Sequence, residues 1–402
     1  MRGRAPGRQK DPPLYNRLLS FSLVLTFAGV VAACGSSGST TATTTVSAPS
    51  PATETVPTPV VAGLPVTKWR ILAPKPLPAG VTLYLEKGCY QCDGPAESIE
   101  RASASSGGTT AVASLFKLGG PSADGRYIHS SYIAPDGHEM WVTVCSRGYC
   151  GGVANPSADA QVTFYHSIDG GVTWPNETMR EGVATVAAVT AIGPFVLTYC
   201  AAPADCALPT PYSIHANGPA APASQLVTAP AEARGLVYPQ TGTSLIWWGK
   251  DLRSFLRSDG STIYRADPAI IDSAGSQVSM AGAPSADGRT FAVDWSLLKG
   301  SLTTAYQGLI RDGKLSAIFS GFDRGALPRV GAWVNETTAY GNIFVEASAI
   351  PGMAAKDPRT KYNLPCFIDY KSGTITPLEL YGPLFSDAYG GRNLVRAATA
   401  MP

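Results

Sequence analysis

Histidine is scarce in this chain: His129, His138, His166 and His215 are all there is among 402 residues, and none shares a ligand-like cluster with the cysteines. Each reads as an ordinary strand or turn residue, which argues against a histidine-rich metal centre. Other chemistry-bearing patterns are missing too. No GxSxG nucleophile elbow, no HExxH zinc helix and no P-loop occurs, so those hydrolase classes lack their required residues. The turn "APDGHE", Ala134 to Glu139, offers hard oxygen ligands for calcium, but one Asp with one Gly falls far short of a binding loop. The expectation is therefore no metal, no cofactor and no recognisable catalytic residue. Charge is sparse at 15%, and sustained helical periodicity is rare. The formal +2 is itself uneven. Arg2, Arg4, Arg8, Lys10 and Arg17 against Asp11 leave the first 33 residues at +4, and the remaining 26 basic and 28 acidic residues sum to −2. No basic field remains to attract nucleic acid.

What is present begins with an export signal. The basic stretch to Arg17 precedes an apolar run from Leu18 to Ala33, shorter than the roughly 20 residues a spanning helix needs. Val31-Ala32-Ala33-Cys34 resembles the lipobox of bacterial lipoproteins. The resemblance implies cleavage before Cys34 and a diacylglycerol on its sulfur; the competing reading is a plain secretory signal that meets a cysteine. Gly35 to Val61 is Ser-, Thr- and Pro-rich, with almost no large apolar side chains, and cannot bury a core. Residues 1–33 are read as removed, 34–62 as lipidated cysteine and disordered tether, and 63–402 as the folded domain. The location expected is extracytoplasmic, held to the bacterial cell membrane by the lipid.

The cysteines agree with an oxidising compartment. Beyond Cys34, six of seven fall into couples: Cys89 with Cys92, Cys145 with Cys150, and Cys200 with Cys206. CxxC can ligate zinc, but the wider spacings favour disulfides in an exported chain. Cys366 is left over, either free or paired with one member of the CxxC. The couples also recur: Cys89 to Cys145 is 56 positions and Cys145 to Cys200 is 55. "GPSADGR" at 120–126 returns as "APSADGR" at 283–289, an offset of 163, or three units of about 54. A period near fifty signals a repeat architecture.

Within each unit, short β-rich runs flank turn residues. Tyr127 to Cys145 reads as a hairpin turning at Asp136-Gly137, a pair that accepts the backbone geometry of tight hairpins. Six further hairpins turn near residues 106, 170, 217, 260, 313 and 372. Units of about fifty residues with four strands each predict an all-β fold, a β-propeller of six blades, with seven as the alternative. The ring should close by pairing Asn393–Ala400 with Val81–Glu86.

One hairpin carries a motif. Ser167-x-Asp169-x-Gly171-x-Thr173-Trp174 resembles the Asp-box, or bacterial neuraminidase repeat, of sialidase-like and sortilin-like propellers. The residue types suit a turn staple: Asp169 accepts turn amides, Gly171 takes a conformation costly to others, and Trp174 covers the hairpin. In those families the box is peripheral, which implies a structural role. Sialidase catalysis, as the resemblance implies, needs an arginine trio, a Tyr–Glu pair and an acid. The usual Arg-Ile-Pro signature is missing, since "WRILAP", Trp69 to Pro74, lacks the following Pro.

The expected function is thus a membrane-anchored lipoprotein whose propeller binds an unknown protein, glycan or small ligand. Trp247 and Trp248 of "LIWWGK" are the candidate aromatic anchors. The alternative is a sialidase-like glycoside hydrolase or lyase with an unrecognised central-channel site.

Overall fold

A computed structural model describes residues 60–61, 63–88, 97–104, 110–118, 126–134, 136–148, 150, 159–181, 183–190, 193–199, 212–214, 225–227, 230–237, 245–267, 278–299, 302–321, 327–353, 361–379 and 392–399. The lipobox cysteine, most of the tether, and Cys89, Cys92, Cys200 and Cys206 lie outside them.

The described strands form six sheets, each built on a four-stranded antiparallel meander, in a β-propeller. Sheet one is Arg392–Thr399, Val81–Gly88, Glu97–Ala104 and Thr110–Lys117; sheet two is Tyr127–Ile133, Met140–Arg147, Gln161–Ser167 and Asn176–Glu181. Sheet three is Val183–Thr190, Gly193–Tyr199, Tyr212–Ile214 and Gln225–Val227; sheet four is Ala233–Leu236, Ile246–Gly249, Ser254–Arg257 and Thr262–Arg265. Sheet five is Ser279–Met280, Thr290–Lys299, Leu302–Arg311 and Lys314–Ser320; sheet six is Arg329–Trp333, Thr338–Glu346, Lys361–Asp369 and Thr374–Glu379. Among the described residues no seventh sheet exists. The ring closes as expected, with Arg392–Thr399 pairing antiparallel to Val81–Gly88 from Arg392↔Lys87 to Thr399↔Val81.

Among the described residues, the first strand of sheet one meets those of sheets two and six, and the first strand of sheet two meets that of sheet three. Gly282, just past the first strand of sheet five, forms a parallel bridge with Val330 of sheet six. Its φ is +110°, and a Cβ there would collide with the Val330 carbonyl oxygen, so only glycine permits the approach. Both faces of each sheet are therefore covered, and apolar runs need not alternate. Met140 to Cys145 is buried at every position. Its two faces feed separate clusters: Tyr84, Ile99 and Phe116 of sheet one meet Met140, Val142 and Val144 on one side, while Trp141, Cys145 and Phe164 meet Val186 of sheet three on the other.

The six hairpins expected downstream are the third and fourth strands of the six sheets. The cysteine period is also structural. Cys145 ends the second strand of sheet two, while Cys89 and Cys200 directly follow the second strands of sheets one and three. The repeated heptapeptide is not in register and needs correcting. Residues 283–289 turn between the first and second strands of sheet five, whereas Arg126 leads into a first strand; the true counterpart is Ala134 to Glu139. There Gly137 donates to the Ala134 carbonyl, as Gly288 does to Ser285.

A further departure concerns the chain start. Val60–Val61, expected in the tether, pair with Leu64–Lys68, which runs parallel along the outer strand of sheet five. Arg70–Ile71 and Lys75–Pro76 then pair parallel with the outer strand of sheet six. "WRILAP" is thus a strap across two sheet edges, which would otherwise present unpaired backbone groups.

Cys145 and Cys150 are disulfide-bonded and buried, and Cys366 is a buried free thiol. Thiol trapping without reduction should leave Cys145 and Cys150 unlabelled and modify Cys366 only after unfolding. Reduction closes off a loop-entropy gain below about 3 kcal/mol, the value for a longer 15-residue loop, so it should loosen the strand link and leave the ring folded. Labelling of Cys145 in native protein would contradict the bond.

Candidate functional site

Three places hold concentrated side-chain chemistry among the described residues. The first is the motif hairpin. Ser167 Oγ donates to Asp169 Oδ1 at 2.7 Å and accepts the Gly171 amide at 2.9 Å. Asp169 accepts the amides of Val172 and Thr173 at 3.0 Å each, and the Thr173 hydroxyl at 2.6 Å. These bonds, the Thr173 hydroxyl foremost, hold its carboxyl well below the usual aspartate range. Gly170 and Gly171 have φ of +72° and +86°. Trp174 is half-buried, less covered than a core tryptophan, and its Nε1 donates to the Leu115 carbonyl of sheet one at 2.8 Å. The turn therefore fastens two sheets as well as one hairpin. Both carboxylate oxygens of Asp169 thus accept bonds from within the turn.

Beside it, Glu139 Oε1 accepts Trp141 Nε1 and meets His166 Nε2, each at 3.1 Å, and the His166 ring stacks on Trp141 at 3.8 Å. The hydrogen bond with His166 leads in lowering the Glu139 pKa. From the sequence alone His166 reads as an ordinary strand or turn residue. The pairing was recoverable only through register, since His166 lies opposite Trp141 across the hairpin.

The second place is the tryptophan pair of sheet four, where the expectation for Trp247 needs correcting. Trp247 is fully buried, with its Nε1 donating to Ser258 Oγ at 3.2 Å, so it presents nothing to a ligand. Trp248 is half-buried and packs against the sheet four–five cluster, with the Arg234 guanidinium 5.1 Å over its ring. The two point to opposite faces because they are neighbours on one strand.

The third is the seam between sheets five and six, which the sequence reading missed. Asp294 sits mid-strand in "FAVDW", opposite Gln307 in the ladder. Gln307 is fully buried; its Nε2 donates to Asp294 Oδ1 and to the Pro328 carbonyl at 2.8 Å each. Its Oε1 accepts the buried Tyr370 hydroxyl at 3.2 Å. Burial pushes the Asp294 carboxyl up to about 7, against the downward pull of Gln307 and the Arg329 guanidinium. Tyr370 is raised well above its ordinary value and the Cys366 thiol is pushed up, both by burial. Neither is available as an anionic nucleophile. The seam holds one carboxyl, protonated for part of the time at neutral pH, on an amide that fixes one of its oxygens. An acid flanked by apolar residues within a strand is the sequence signal that marks such a group.

No family model matches this chain, and no curated protein does. Among solved structures it is similar to one described as a structural and mechanistic analysis of two prolyl endopeptidases and the role of inter-domain dynamics in their catalysis and specificity. The identity is 14% and the TM-score 0.24, over 76% of this chain and 42% of that one. The chain spans less than half of that protein's length, and nothing about its own activity follows from the likeness.

Two outcomes test these assignments. Asp169→Ala should lower the melting temperature without changing ligand affinity. Because the folded-state pKa is depressed, that difference is full above the usual aspartate value near 4 and shrinks as pH falls below it. Trp174→Ala should cost about 2 kcal/mol, below the 3–5 of a fully buried aromatic. Loss of binding with an unmoved melting temperature would assign Asp169 to a ligand site instead.

Asp294 behaves in the opposite sense. Its folded pKa is raised, so its contribution is fully present below about pH 4 and is lost as pH rises through about 7. Stability should fall across that window by up to about 1.4 kcal/mol per pH unit. Asp294→Asn keeps the acceptor for Gln307 and removes the ionisation, so its melting curve should be flatter with pH and lie higher at pH 8. Parallel pH profiles for both proteins would refute the assignment.

Proposed function

We propose that this chain is an extracytoplasmic lipoprotein, anchored through a diacylglycerol on Cys34, whose propeller is a binding module for a protein, glycan or small ligand. Anchoring rests on Val31-Ala32-Ala33-Cys34 behind a basic segment and a short apolar run, followed by a polar tether. The buried Cys145–Cys150 disulfide fits an oxidising compartment. The Asp-box resemblance supports a peripheral staple and leaves the ligand to other surfaces.

One observation weighs most for binding over catalysis. The seam between sheets five and six holds Asp294 with Gln307 and Arg329, and no acid figures among the groups that set its pKa. Glycoside hydrolysis takes two carboxyl groups about 5–10 Å apart, one as acid and one as nucleophile or base. Among the described residues the side-chain partner hydrogen-bonded to Asp294 is the Gln307 amide and not a second carboxyl, which favours binding over two-carboxylate hydrolysis.

Changing Cys34 to Ala should move the full chain from the membrane fraction to the soluble one. Persistence with membranes after a salt wash would overturn the anchor. The released Cys34→Ala chain should then retain glycans or peptides on an array without converting them. Turnover of a glycoside, abolished in Asp294→Asn, would favour the enzyme reading over the binding module.

A further inference from the structure

The strap at the chain start is wired to the Asp294 seam. Leu64–Lys68 lies along Lys314–Ser320 with Val66 opposite Ile318 and Lys68 opposite Ser320. The Trp69 amide bonds the Ser320 carbonyl at 3.3 Å, and the chain then crosses to sheet six. There the Arg70 amide bonds Gly373 at 3.0 Å and the Leu72 amide bonds Ile375 at 2.8 Å. At the crossing, the Trp69 ring stacks on Phe319 of sheet five, with centroids 4.2 Å apart, and meets Tyr370 of sheet six edge-on at 5.3 Å. Tyr370 in turn stacks on Trp333 and donates to Gln307, which donates to Asp294. The contact chain runs unbroken from strap to carboxyl.

The seated state also carries a defect. Trp69 is 2% exposed, and its indole N–H is buried without an acceptor. A buried donor left unpaired opposes the very burial that seats the ring. The strap is held by parallel edge pairing, by Val66 buried in the sheet four–five cluster, by Ile71 against the sheet five–six cluster and by Trp69, and the Trp69 plug is imperfect.

We propose that Leu64–Pro76 is a releasable strap that closes the outer side of the seam between sheets five and six and, when seated, holds Tyr370 and Gln307 on Asp294. Release admits water to the seam and lets the carboxyl ionise. By reciprocity, ionisation favours release, so the strap seats more firmly at low pH than at high pH. The groups that set this balance are Asp294, the Arg329 guanidinium, and the Tyr370 and Cys366 protons within the seam. Lys68, Arg70 and Lys75 of the strap itself are exposed. This inference stands whether or not Cys34 is lipidated.

Hydrogen exchange of the full chain, corrected for the intrinsic pH dependence of amide exchange, provides the test. At pH 8 the amides of Arg70 and Leu72 should exchange at least tenfold faster than those of Phe291 to Val293 in the interior of sheet five. Trp69→Phe keeps the stack and removes the unpaired N–H, so it should slow strap exchange severalfold. Asp294→Asn should slow it at pH 8 and leave it unchanged at pH 5. Trp69→Ala should accelerate it, and the two conservative variants carry the test if that protein does not fold. Strap amides that exchange only together with the interior in every variant would show that the strap opens only by global unfolding. Strap exchange identical in wild type and Asp294→Asn at pH 8 would break the link to the carboxyl. Either result overturns the proposal.

Discussion

The pairing of Arg392–Thr399 with Val81–Gly88 is the interaction on which the ring depends. Every other sheet draws its four strands from one continuous stretch, but sheet one takes its first strand from the far end of the chain. Without that strand, sheet one would offer the axis an unpaired edge, and the neighbouring first strands of sheets six and two would lose a wall. A meander alone is marginal, because each sheet has two apolar faces and covers neither by itself. Closure turns six incomplete cores into six shared ones. The alternation along the second strand of sheet one shows the sharing, since Leu83 and Leu85 join Tyr340 of sheet six while Tyr84 joins Val142 of sheet two.

Much of this was legible in the sequence because turns advertise themselves. Gly137, Gly170, Gly171, Gly260, Gly313 and Gly373 all have positive φ, and each marks a turn between β-rich runs. The cysteine spacing worked for the same reason, being fixed to the ends of second strands. The heptapeptide failed because short identical words need not occupy equivalent places; "SADGR" suits any tight turn ahead of a strand. The strap was illegible for a different reason. Two- and five-residue strands with exposed faces carry no periodicity, and parallel pairing to strands some 250 and 300 residues away leaves no local trace.

The site divides along similar lines. The Asp169 staple is a local object whose partners lie within seven residues, and its geometry follows from residue types at fixed offsets. The Asp294 network is assembled from four elements, and only the strand-centred acid in "FAVDW" hints at it. Trp247 and Trp248 mark the limit of composition arguments. Two adjacent tryptophans on a strand face opposite ways, and here one direction leads into the core at Trp247 while the other leaves Trp248 half-buried under Arg234.

The disposition of the chain ends bears on how the molecule is made. Synthesis delivers the N-terminal end first, so the strap residues 64–76 emerge ahead of the strands of sheets five and six that they pair with. Lys314–Ser320 and Thr374–Glu379 follow near the end, and Arg392–Thr399 comes last of all. Until then the second strand of sheet one lacks its inner neighbour, and Trp69 lacks its slot between Phe319 and Tyr370. The contacts that finish the fold are thus those of greatest sequence separation, the slowest class to form. During synthesis the chain carries an uncovered tryptophan and an open sheet edge, surfaces that invite capture by folding helpers or by other copies of the chain. The ring is completed only when Arg392–Thr399 has been made.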